Sequence, residues 1–269
     1  MKAAQFALHA QMEERHWWFL GRRKIVTELI HRTVPPSTGK AIVDIGCGTG
    51  GNIASLVNDY TCIGMDPSEE AVRRARERFR QVPFVCGSQP MDLGETVLKT
   101  DLLLLMDVLE HVDDDFWFFS EWFSKIPAAS YVLLTVPADP KLWSKHDVAF
   151  GHFRRYDRRR LEQLWEGLPV TVNLLSYYNA LLYPLIRGVR TLNRWRGTSF
   201  GENGTDFKTP PGIFNGLLTQ IFGAETRVLI DTLEGKRSDG FQRGVSLIAL
   251  LRREAGTILP RRKPAHVDG

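Results

Sequence analysis

Cysteine is scarce in this chain of 269 residues, which contains only three, and no two of them stand in a Cys-x-x-Cys arrangement. So few and so widely spaced cysteines do not build a disulfide framework or a structural zinc site. The histidines show no tight ligand spacing either, and no cysteine joins them, so we expect no metal site. The fold must therefore rely on a hydrophobic core, for which a chain of this length is sufficient.

A secretory signal and a clear membrane span are also missing from the sequence. The N-terminal stretch MKAAQFALHAQMEER has no long apolar core, and we therefore expect a cytoplasmic protein. The longest uncharged run, from Leu168 to Ile186, approaches the length of a span, but prolines and asparagines interrupt it. We interpret this run as a buried strand that leads into a helix, with a membrane-surface role as the alternative.

The sequence has little excess of charge of either sign, since the formal net charge is +4. A mild excess of this size does not call for a nucleic-acid clamp, and no nucleic-acid partner is expected. Hydrophobic residues make up 43% and charged residues 25% of the chain. These fractions are typical of soluble globular proteins and exclude a wholly disordered, collagen-like or coiled-coil chain.

Strand and helix patterns alternate along the first half of the chain. Apolar runs at 41–45, 61–65 and 131–136 predict strands, and Leu102–Met106 is apolar throughout, as in a strand buried on both faces. Helical patterns separate these runs, and such an alternation predicts an open α/β sheet with mostly parallel strands. Further helices are predicted over residues 2–33, 158–166, 177–196 and 212–232, and further strands over 83–86, 170–175 and 245–251.

A glycine-rich loop follows the first predicted strand, with the sequence Val43-Asp44-Ile45-Gly46-Cys47-Gly48-Thr49-Gly50. Glycines between a strand and a helix allow positive φ and let the backbone approach a ligand closely. Asp66 ends the next predicted strand, 22 residues after Asp44, where a carboxylate can accept both hydroxyls of a ribose. The loop and this acid together predict a nucleotide-type cofactor site.

With VDIGCGTG at 43–50, GMDPSEEAV at 64–72 and DLLLLMDVLEHVDDD at 101–115, the chain resembles the class I S-adenosylmethionine-dependent methyltransferases. The resemblance covers roughly residues 40–136 and implies a Rossmann-like fold: a seven-stranded, mostly parallel sheet with an antiparallel last strand, an N-terminal helix and a helical cap insertion. It implies S-adenosylmethionine as cofactor and S-adenosylhomocysteine as product. The motifs are specific for the cofactor fold and much less so for the methyl acceptor.

The resemblance also implies roles for individual residues. Many members place an acid after the third strand, near the adenine, but here Gly87-Ser88-Gln89 occupies that place, so Ser88 or Gln89 is expected to make the contact. The predicted N-terminal helix contains His16-Trp17-Trp18-Phe19 and Arg22-Arg23. In a subset of the family a similar helix covers the cofactor, which implies that Trp18 and Arg22 contact it. The remaining expected contacts are Asp44, Gly46, Cys47, Gly48 and Gly50 in the loop, Asp66 at the ribose, Pro67 near the adenine, and Asp107 and Val108 on the methionine side.

Candidate catalytic residues follow the fourth and fifth predicted strands. His111 comes five residues after the apolar strand, where ligands bind in such sheets. The stretch from Val136 to Tyr156 resembles a subgroup that acts on small molecules, and it leaves the sheet at the edge where an acceptor would dock. His146 or His152 could take a proton from a hydroxyl or ammonium acceptor, and Tyr156 is a further candidate. Arg154, Arg155 and Tyr156 could instead brace the loop.

These observations favour an O- or N-directed methyltransferase of biosynthesis that acts on a sugar, glycan precursor or natural product. A lipid-linked or membrane-surface acceptor is the alternative. An NAD-dependent oxidoreductase is disfavoured by the GxGxG spacing, and a nucleic-acid methyltransferase by Asp107-Val108-Leu109-Glu110, where an Asp/Asn-Pro-Pro-Tyr/Phe motif is expected. A binding protein without turnover stays possible. The sequence leaves the acceptor, the attacking atom, the catalytic histidine and the oligomeric state open.

The predicted organisation has five segments in chain order. A helical lid covers residues 1–40, the cofactor-binding core 41–176 and a helical cap 177–240. The last core strand follows at 241–252, and a basic tail at 253–269 is predicted to be disordered.

Overall fold

A computed structural model describes residues 3–196 and 209–262 of the chain. The described residues form one seven-stranded sheet, in the order β3-β2-β1-β4-β5-β7-β6. Neighbouring strands run parallel from β3 through β5, and β7 runs antiparallel to both β5 and β6. This topology confirms the predicted fold class. The strands are β1 (Ala41–Ile45), β2 (Thr61–Asp66), β3 (Phe84–Cys86), β4 (Leu102–Met106), β5 (Tyr131–Pro137), β6 (Val170–Tyr178) and β7 (Ser246–Arg253).

The strand order reverses between β1 and β4, and this reversal fixes where a ligand can bind. In an open α/β sheet, the loops that leave the carboxyl ends of the strands diverge at such a point and leave a crevice. The glycine loop leaves β1 there, and Asp107 follows β4. The two predicted halves of the site therefore face the same crevice.

Helices cover both faces of the sheet. The four leucines of β4 contribute to the hydrophobic cores on both faces of the sheet. Leu102 and Leu104 face one core, and Leu103 and Leu105 face the other. The helices are α1 (Ala3–Arg15), α2 (Trp17–Thr33), α3 (Gly51–Ala54), α4 (Glu69–Arg78), α5 (Asp115–Lys125), α6 (Lys145–Phe150), α7 (Arg158–Glu162), α8 (Tyr183–Arg196), α9 (Gly212–Ala224) and α10 (Thr226–Leu233).

The N-terminal segment forms two helices, although the sequence predicts one. His16 interrupts it with extended backbone dihedral angles, and its ring accepts a hydrogen bond from the amide of Trp18, as an N-cap does. The helix α2 then packs closely on α9, because a Cβ on Gly21 would lie 2.6 Å from the ring of Phe222. The lid and the cap thus share one hydrophobic core with the sheet, and the predicted segment boundaries stay predictions.

The cap departs from the predicted helices at two places. The predicted helix over 177–196 starts only at Tyr183, because β6 continues to Tyr178 and Asn179 adopts a left-handed φ of 52°. The predicted helix over 212–232 divides into α9 and α10 at Glu225. Across the described ranges, each helix is too short or too polar to cross a membrane.

The predicted disordered tail is ordered over its first part. Arg253 belongs to β7, and the guanidinium of Arg261 donates to the backbone carbonyls of Gln163, Leu164 and Glu166. The sequence prediction missed these contacts because they join residues almost a hundred positions apart. Residues 263–269 lie outside the described part of the chain.

Candidate active site

The glycine loop has the conformation that its sequence predicts. Gly46, Gly48 and Gly50 have φ values of 70°, 56° and 84°, all in the region that disfavours side chains. A Cβ on Gly46 would also lie 2.6 Å from Val108 Cγ2, whereas a Cβ on Gly48 would meet nothing within 4 Å. Gly46 therefore permits close packing beneath the loop, and Gly48 presents bare backbone to the crevice.

Asp66 connects the loop to the end of β2. Its Oδ2 accepts a hydrogen bond of 2.9 Å from the Gly48 amide, and its Oδ1 accepts one of the same length from the Ser68 amide. Burial raises the pKa of this carboxyl, against the effect of the two amides. The arrangement fixes the carboxylate at the carboxyl edge of the sheet, where the sequence analysis expects it.

Asp44 is a fully buried acid directly before the glycine loop. Neither of its carboxylate oxygens has a hydrogen-bond partner within the described residues. Burial raises the pKa of Asp44 to about 8, although the nearby Arg22 opposes this rise. A buried carboxylate without a partner is costly, so its presence indicates a positively charged ligand group or a functional strain.

Asp107 and Arg22, which the sequence analysis predicts as separate contacts of the cofactor, form an ion pair. The guanidinium of Arg22 donates to Asp107 Oδ2, and Thr135 Oγ1 donates to Asp107 Oδ1 over 3.1 Å. Arg22 also lies 4.3 Å from the centre of the Trp18 ring, in cation–π contact. Asp107 has a φ of 60°, an unfavourable value for a residue with a side chain, and such strain is frequent at functional sites.

Asp92, an acid that the sequence analysis did not name, fixes the backbone of Ser88 and Gln89 in the loop after β3. Asp92 Oδ2 accepts hydrogen bonds of 2.9 Å from the amides of both residues. Asp92 thus shapes the loop in which the sequence analysis expects Ser88 or Gln89 to replace the missing acid. The signal for it was the spacing of a capping box from Gln89 to Asp92.

The three histidines that the sequence analysis names as candidates form a cluster at the crevice. The rings of His111 and His152 lie 4.7 Å apart and nearly perpendicular, and the ring of His146 lies 6.3 Å from His152. Burial lowers the pKa of His111 to about 3 and that of His146 well below its usual value. His152 Nδ1 lies 3.0 Å from Asp147 Oδ1, which also accepts from Arg155 Nε.

Tyr156 is not brought to this cluster. Its ring is fully buried in the core beneath the sheet edge, and its hydroxyl donates to Asp115 Oδ2 over 2.7 Å. Arg154 donates to the backbone carbonyls of Val112 and Asp113, and Arg155 binds Asp147. These three side chains brace the loop, which was one of the two roles that the sequence left open.

The glycine loop and the histidine cluster lie in one cleft of about 900 Å³. Asp44, Gly50 and Tyr156, which the sequence analysis also named, are not among the residues that line it. The predicted site residues that line the cleft are Trp18, Arg22, Gly46, Cys47, Gly48, Asp66, Pro67, Ser88, Gln89, Asp107, Val108, His111, His146 and His152.

Two buried polar residues of the cleft were missed by the sequence analysis as site residues. Glu110 is 1% exposed, and its Oε2 has no hydrogen-bond partner in the part of the chain that the structure describes. The amide group of Asn179 is likewise buried and unpaired, while Glu225 holds the following backbone by accepting from the amides of Ala180 and Leu181. Two features of the sequence could have indicated these residues. Glu110 directly precedes the candidate His111, and Asn179 interrupts the uncharged run from Leu168 to Ile186.

The fold is similar to those of several solved structures, which agree with this chain at about 15% identity. A chain from the complex of the Haloferax volcanii Trm112 methyltransferase activator with a putative methyltransferase has a TM-score of 0.58, at 95% coverage of this chain and 97% of that chain. A putative sarcosine dimethylglycine methyltransferase from Galdieria sulphuraria has a TM-score of 0.54, at 86% and 84%. Phosphoethanolamine N-methyltransferase 2 of Haemonchus contortus has 0.52, at 86% and 53%.

Membership of a family is shown by a match to a family model, whereas similarity to these solved structures shows only the fold. The model for a methyltransferase domain matches residues 18–169, which is more than half of the chain and spans the glycine loop, Asp66 and the histidine cluster. The chain therefore belongs to this methyltransferase family and is a class I S-adenosylmethionine-dependent methyltransferase.

Proposed function

We propose that the chain transfers a methyl group from S-adenosylmethionine to an oxygen or nitrogen atom of a small-molecule acceptor, such as a sugar, glycan precursor or natural product. The observation that carries this proposal is that one cleft of about 900 Å³ contains both the glycine loop with Asp66 and the histidine cluster. The volume is that of a site for small molecules rather than for a folded macromolecule. The family assignment leaves the NAD-dependent alternative without support.

The residues of the crevice fit S-adenosylmethionine. The unpaired, buried carboxylate of Asp44 suits the cofactor's ammonium group, and the bare backbone at Gly48 admits a ligand. Asp66 is the proposed ribose ligand, and Asp107 completes the methionine side. The other proposed contacts are Gly46 and Cys47 in the loop, Val108 beside the methionine, and Pro67, Ser88 and Gln89 at the adenine. Gly50 does not line the cleft and is no longer proposed as a contact.

Arg22 and Trp18 are the proposed contribution of the lid to cofactor binding. Arg22 is tied to Asp107, but its buried Nε has no partner among the described residues. A guanidinium can bind two carboxylates through different nitrogens. Arg22 can therefore hold Asp107 and the cofactor carboxylate together, while the ring of Trp18 supports its planar face.

The cofactor supplies a methyl group on a sulfonium, which is a good leaving group. The protein has to align the nucleophile and to exclude water, and it needs a base only when the nucleophile arrives protonated. His152 suits the role of base, because Asp147 holds its Nδ1 and leaves the lone pair of Nε2 to accept a proton. His111 and His146 flank it as neutral rings.

The apolar side of the cleft favours an acceptor that carries an apolar tail. Leu182 and Ile186 of the cap line the cleft, and Leu185 stands at its edge while being 60% exposed. Other exposed apolar side chains lie on the cap helices α8 and α9, including Ile213 of α9, which is 88% exposed. Such surfaces mark sites for apolar partners, so a lipid-linked acceptor is the second candidate.

Replacement of the cluster histidines tests the proposed acceptor site. With a panel of hydroxyl and amine acceptors, we expect His152→Ala to lower kcat by roughly 10²–10⁴-fold, as loss of a general base does. His111→Ala should also lower kcat, and both variants should bind S-adenosylhomocysteine about as well as the parent. His31→Ala is the matched control, because His31 also pairs with an aspartate, Asp59, but lies outside the cleft. Unchanged kcat in both cluster variants would contradict this acceptor site.

A further inference from the structure

Glu110, His111 and His152 bring three potential metal ligands together at the floor of the cleft. One ligand atom from each residue lies within 4.8 Å of the other two. A divalent ion with bonds of about 2.1 Å separates neighbouring ligand atoms by roughly 3.0–3.4 Å, so modest side-chain rotation would close the site. Ligand spacing in the sequence gave no sign of it, because His152 comes from a loop 41 residues beyond His111.

The two histidines are already oriented as metal ligands usually are. A ligating histidine typically gives its other ring nitrogen to a carboxylate or a backbone carbonyl, which fixes the ring and the free nitrogen. His152 makes such a contact with Asp147, which Arg155 holds in turn, and His111 is hydrogen-bonded to the backbone at Phe150 and Gly151. These contacts fix both rings next to each other without using Nε2 of His152.

The carboxylate of Glu110 supplies an independent indication of a missing partner. The side chain is 1% exposed, and its Oε2 receives no hydrogen bond from the described residues. Three arginines of the described residues line the same cleft. Arg22 and Arg155 are paired with Asp107 and Asp147, and Arg190 donates a hydrogen bond to the backbone carbonyl of Leu142. A carboxylate buried in this way is strongly disfavoured unless it is neutralised or coordinates a cation.

We propose that Glu110, His111 and His152 bind a divalent transition-metal ion, which takes the attacking oxygen or a neighbouring oxygen of the acceptor as a further ligand. Two imidazoles and one carboxylate are donors that suit Zn²⁺, Fe²⁺ or Co²⁺, and they leave coordination positions for the acceptor. This role for the ion rests on the proposed function. The ion acts as a Lewis acid without change of oxidation state.

With the ion bound, His152 serves as a metal ligand, and the ion replaces it in the role of activating the acceptor that the metal-free proposal assigns to a histidine base. The coordinated hydroxyl loses its proton to solvent, because a bound cation stabilises the resulting oxyanion. The oxygen lone pair forms the new bond to the methyl carbon, and the electrons of the carbon–sulfur bond return to sulfur. The sulfonium becomes a thioether, so that charge and atoms balance without an oxidant or a reductant.

The proposal is tested by Co²⁺ binding to tag-free, metal-stripped full-length protein, followed by calorimetry and by the visible absorption of the bound ion. We expect one equivalent of Co²⁺ to bind and Zn²⁺ to displace it. His152→Ala and Glu110→Gln should each weaken binding by at least about a hundredfold, and Asp147→Asn by about 10–100-fold, as loss of an orienting carboxylate does. His31→Ala is the control and should bind like the parent.

Melting curves and S-adenosylhomocysteine binding establish that each variant is folded before its metal affinity is compared. Absence of Co²⁺ and Zn²⁺ binding to folded parent protein overturns the proposal, and so does binding that the His152 and Glu110 variants retain. Stripped protein that methylates its acceptor at the full rate overturns the role of the ion in the reaction while leaving the proposed function intact. Failure to bind S-adenosylhomocysteine would instead count against the cofactor site.

Discussion

Asp44, a proposed cofactor ligand, also affects the stability of the fold. Burial raises its pKa to about 8 from the usual 3.8, so between about pH 4 and pH 8 the unfolded chain loses a proton that the folded chain retains. Asp44 thus makes the free energy of unfolding fall as pH rises through this window. The unpaired carboxylate is a cost that the cofactor's ammonium group would offset.

The substitution Asp44→Asn should therefore flatten the pH dependence of stability. We expect the Tm of the cofactor-free parent to fall from pH 5 to pH 8 relative to that of the variant. Glu225, whose pKa burial raises to about 7, contributes equally to both proteins and cancels in the comparison. Thermal melts at four pH values measure the difference, and parallel profiles would contradict the account of Asp44.

At the residue scale, local spacing predicted the conformation of the glycine loop and the position of Asp66 better than the contacts of the residues around the histidines. Gly48 and Asp66 lie a fixed distance along the chain from a recognisable strand, and their conformation follows from local geometry. Glu110 and Asn179 were not recognised as site residues, and the choice between the two roles of Tyr156 stayed open, because their burial and their surroundings depend on segments far away in sequence. Periodicity and spacing carry no information about such contacts.

At the scale of elements, the helix α1 is fastened to the glycine loop through one buried acid. Glu13 Oε2 accepts from Thr49 Oγ1 over 2.9 Å and from Arg78 over 2.8 Å. Burial alone would raise the pKa of Glu13, but hydrogen bonds with His9 and Arg78 hold it at about 2. The lid thus depends on an ionised carboxylate at every pH near neutrality.

The substitution Glu13→Gln should loosen α1 and weaken cofactor binding. We expect faster amide hydrogen exchange in residues 6–15 and a severalfold weaker affinity for S-adenosylhomocysteine, because the amide cannot pair with Arg78 as a carboxylate does. Glu14→Gln is the matched control, since Glu14 meets the same arginine but its side chain is 60% exposed. Equal exchange in the two variants would show that Glu13 does not fasten the lid.

Strands were predicted more accurately than the ends of helices. The apolar strands β1, β4 and β5 are buried on both faces, so composition alone marks them. The helical periodicity of the sequence continues through His16 and Glu225, where the helices of the structure break. The break at His16 arises because its ring caps α2, and the break at Glu225 accompanies the hydrogen bond of its carboxylate to the backbone after β6. Such breaks depend on tertiary contacts and are invisible to a periodic pattern.

At the scale of the whole molecule, the acceptor side of the cleft joins three distant segments: the loop after β4, the loop after β5 and the cap. The sheet topology follows from the order of strands and motifs, and it was predicted. The shape and polarity of the cleft arise only when the segments fold together. This difference explains why the sequence identified the cofactor but left the acceptor open.

The exposed apolar rim of the cap should matter only for acceptors with an apolar tail. We expect the substitution Leu185→Ser to raise KM for a tailed acceptor severalfold, since it removes part of the contact energy of a buried aliphatic side chain. The KM for the same head group without a tail should not change. Leu259→Ser is the control, because Leu259 is exposed away from the cleft, and equal effects on both acceptors would contradict the lipid-linked alternative.

The most direct test of the central claim is calorimetry with S-adenosylhomocysteine on the parent, Asp66→Ala and Asp59→Ala. We predict micromolar binding to the parent and to Asp59→Ala, whose carboxylate pairs with His31 on the surface. Binding to Asp66→Ala should be at least about tenfold weaker, because the proposed hydrogen bonds between the Asp66 carboxylate and the ribose would be lost. Equal binding to all three folded proteins, or none to the parent, would contradict the assignment of the cofactor site.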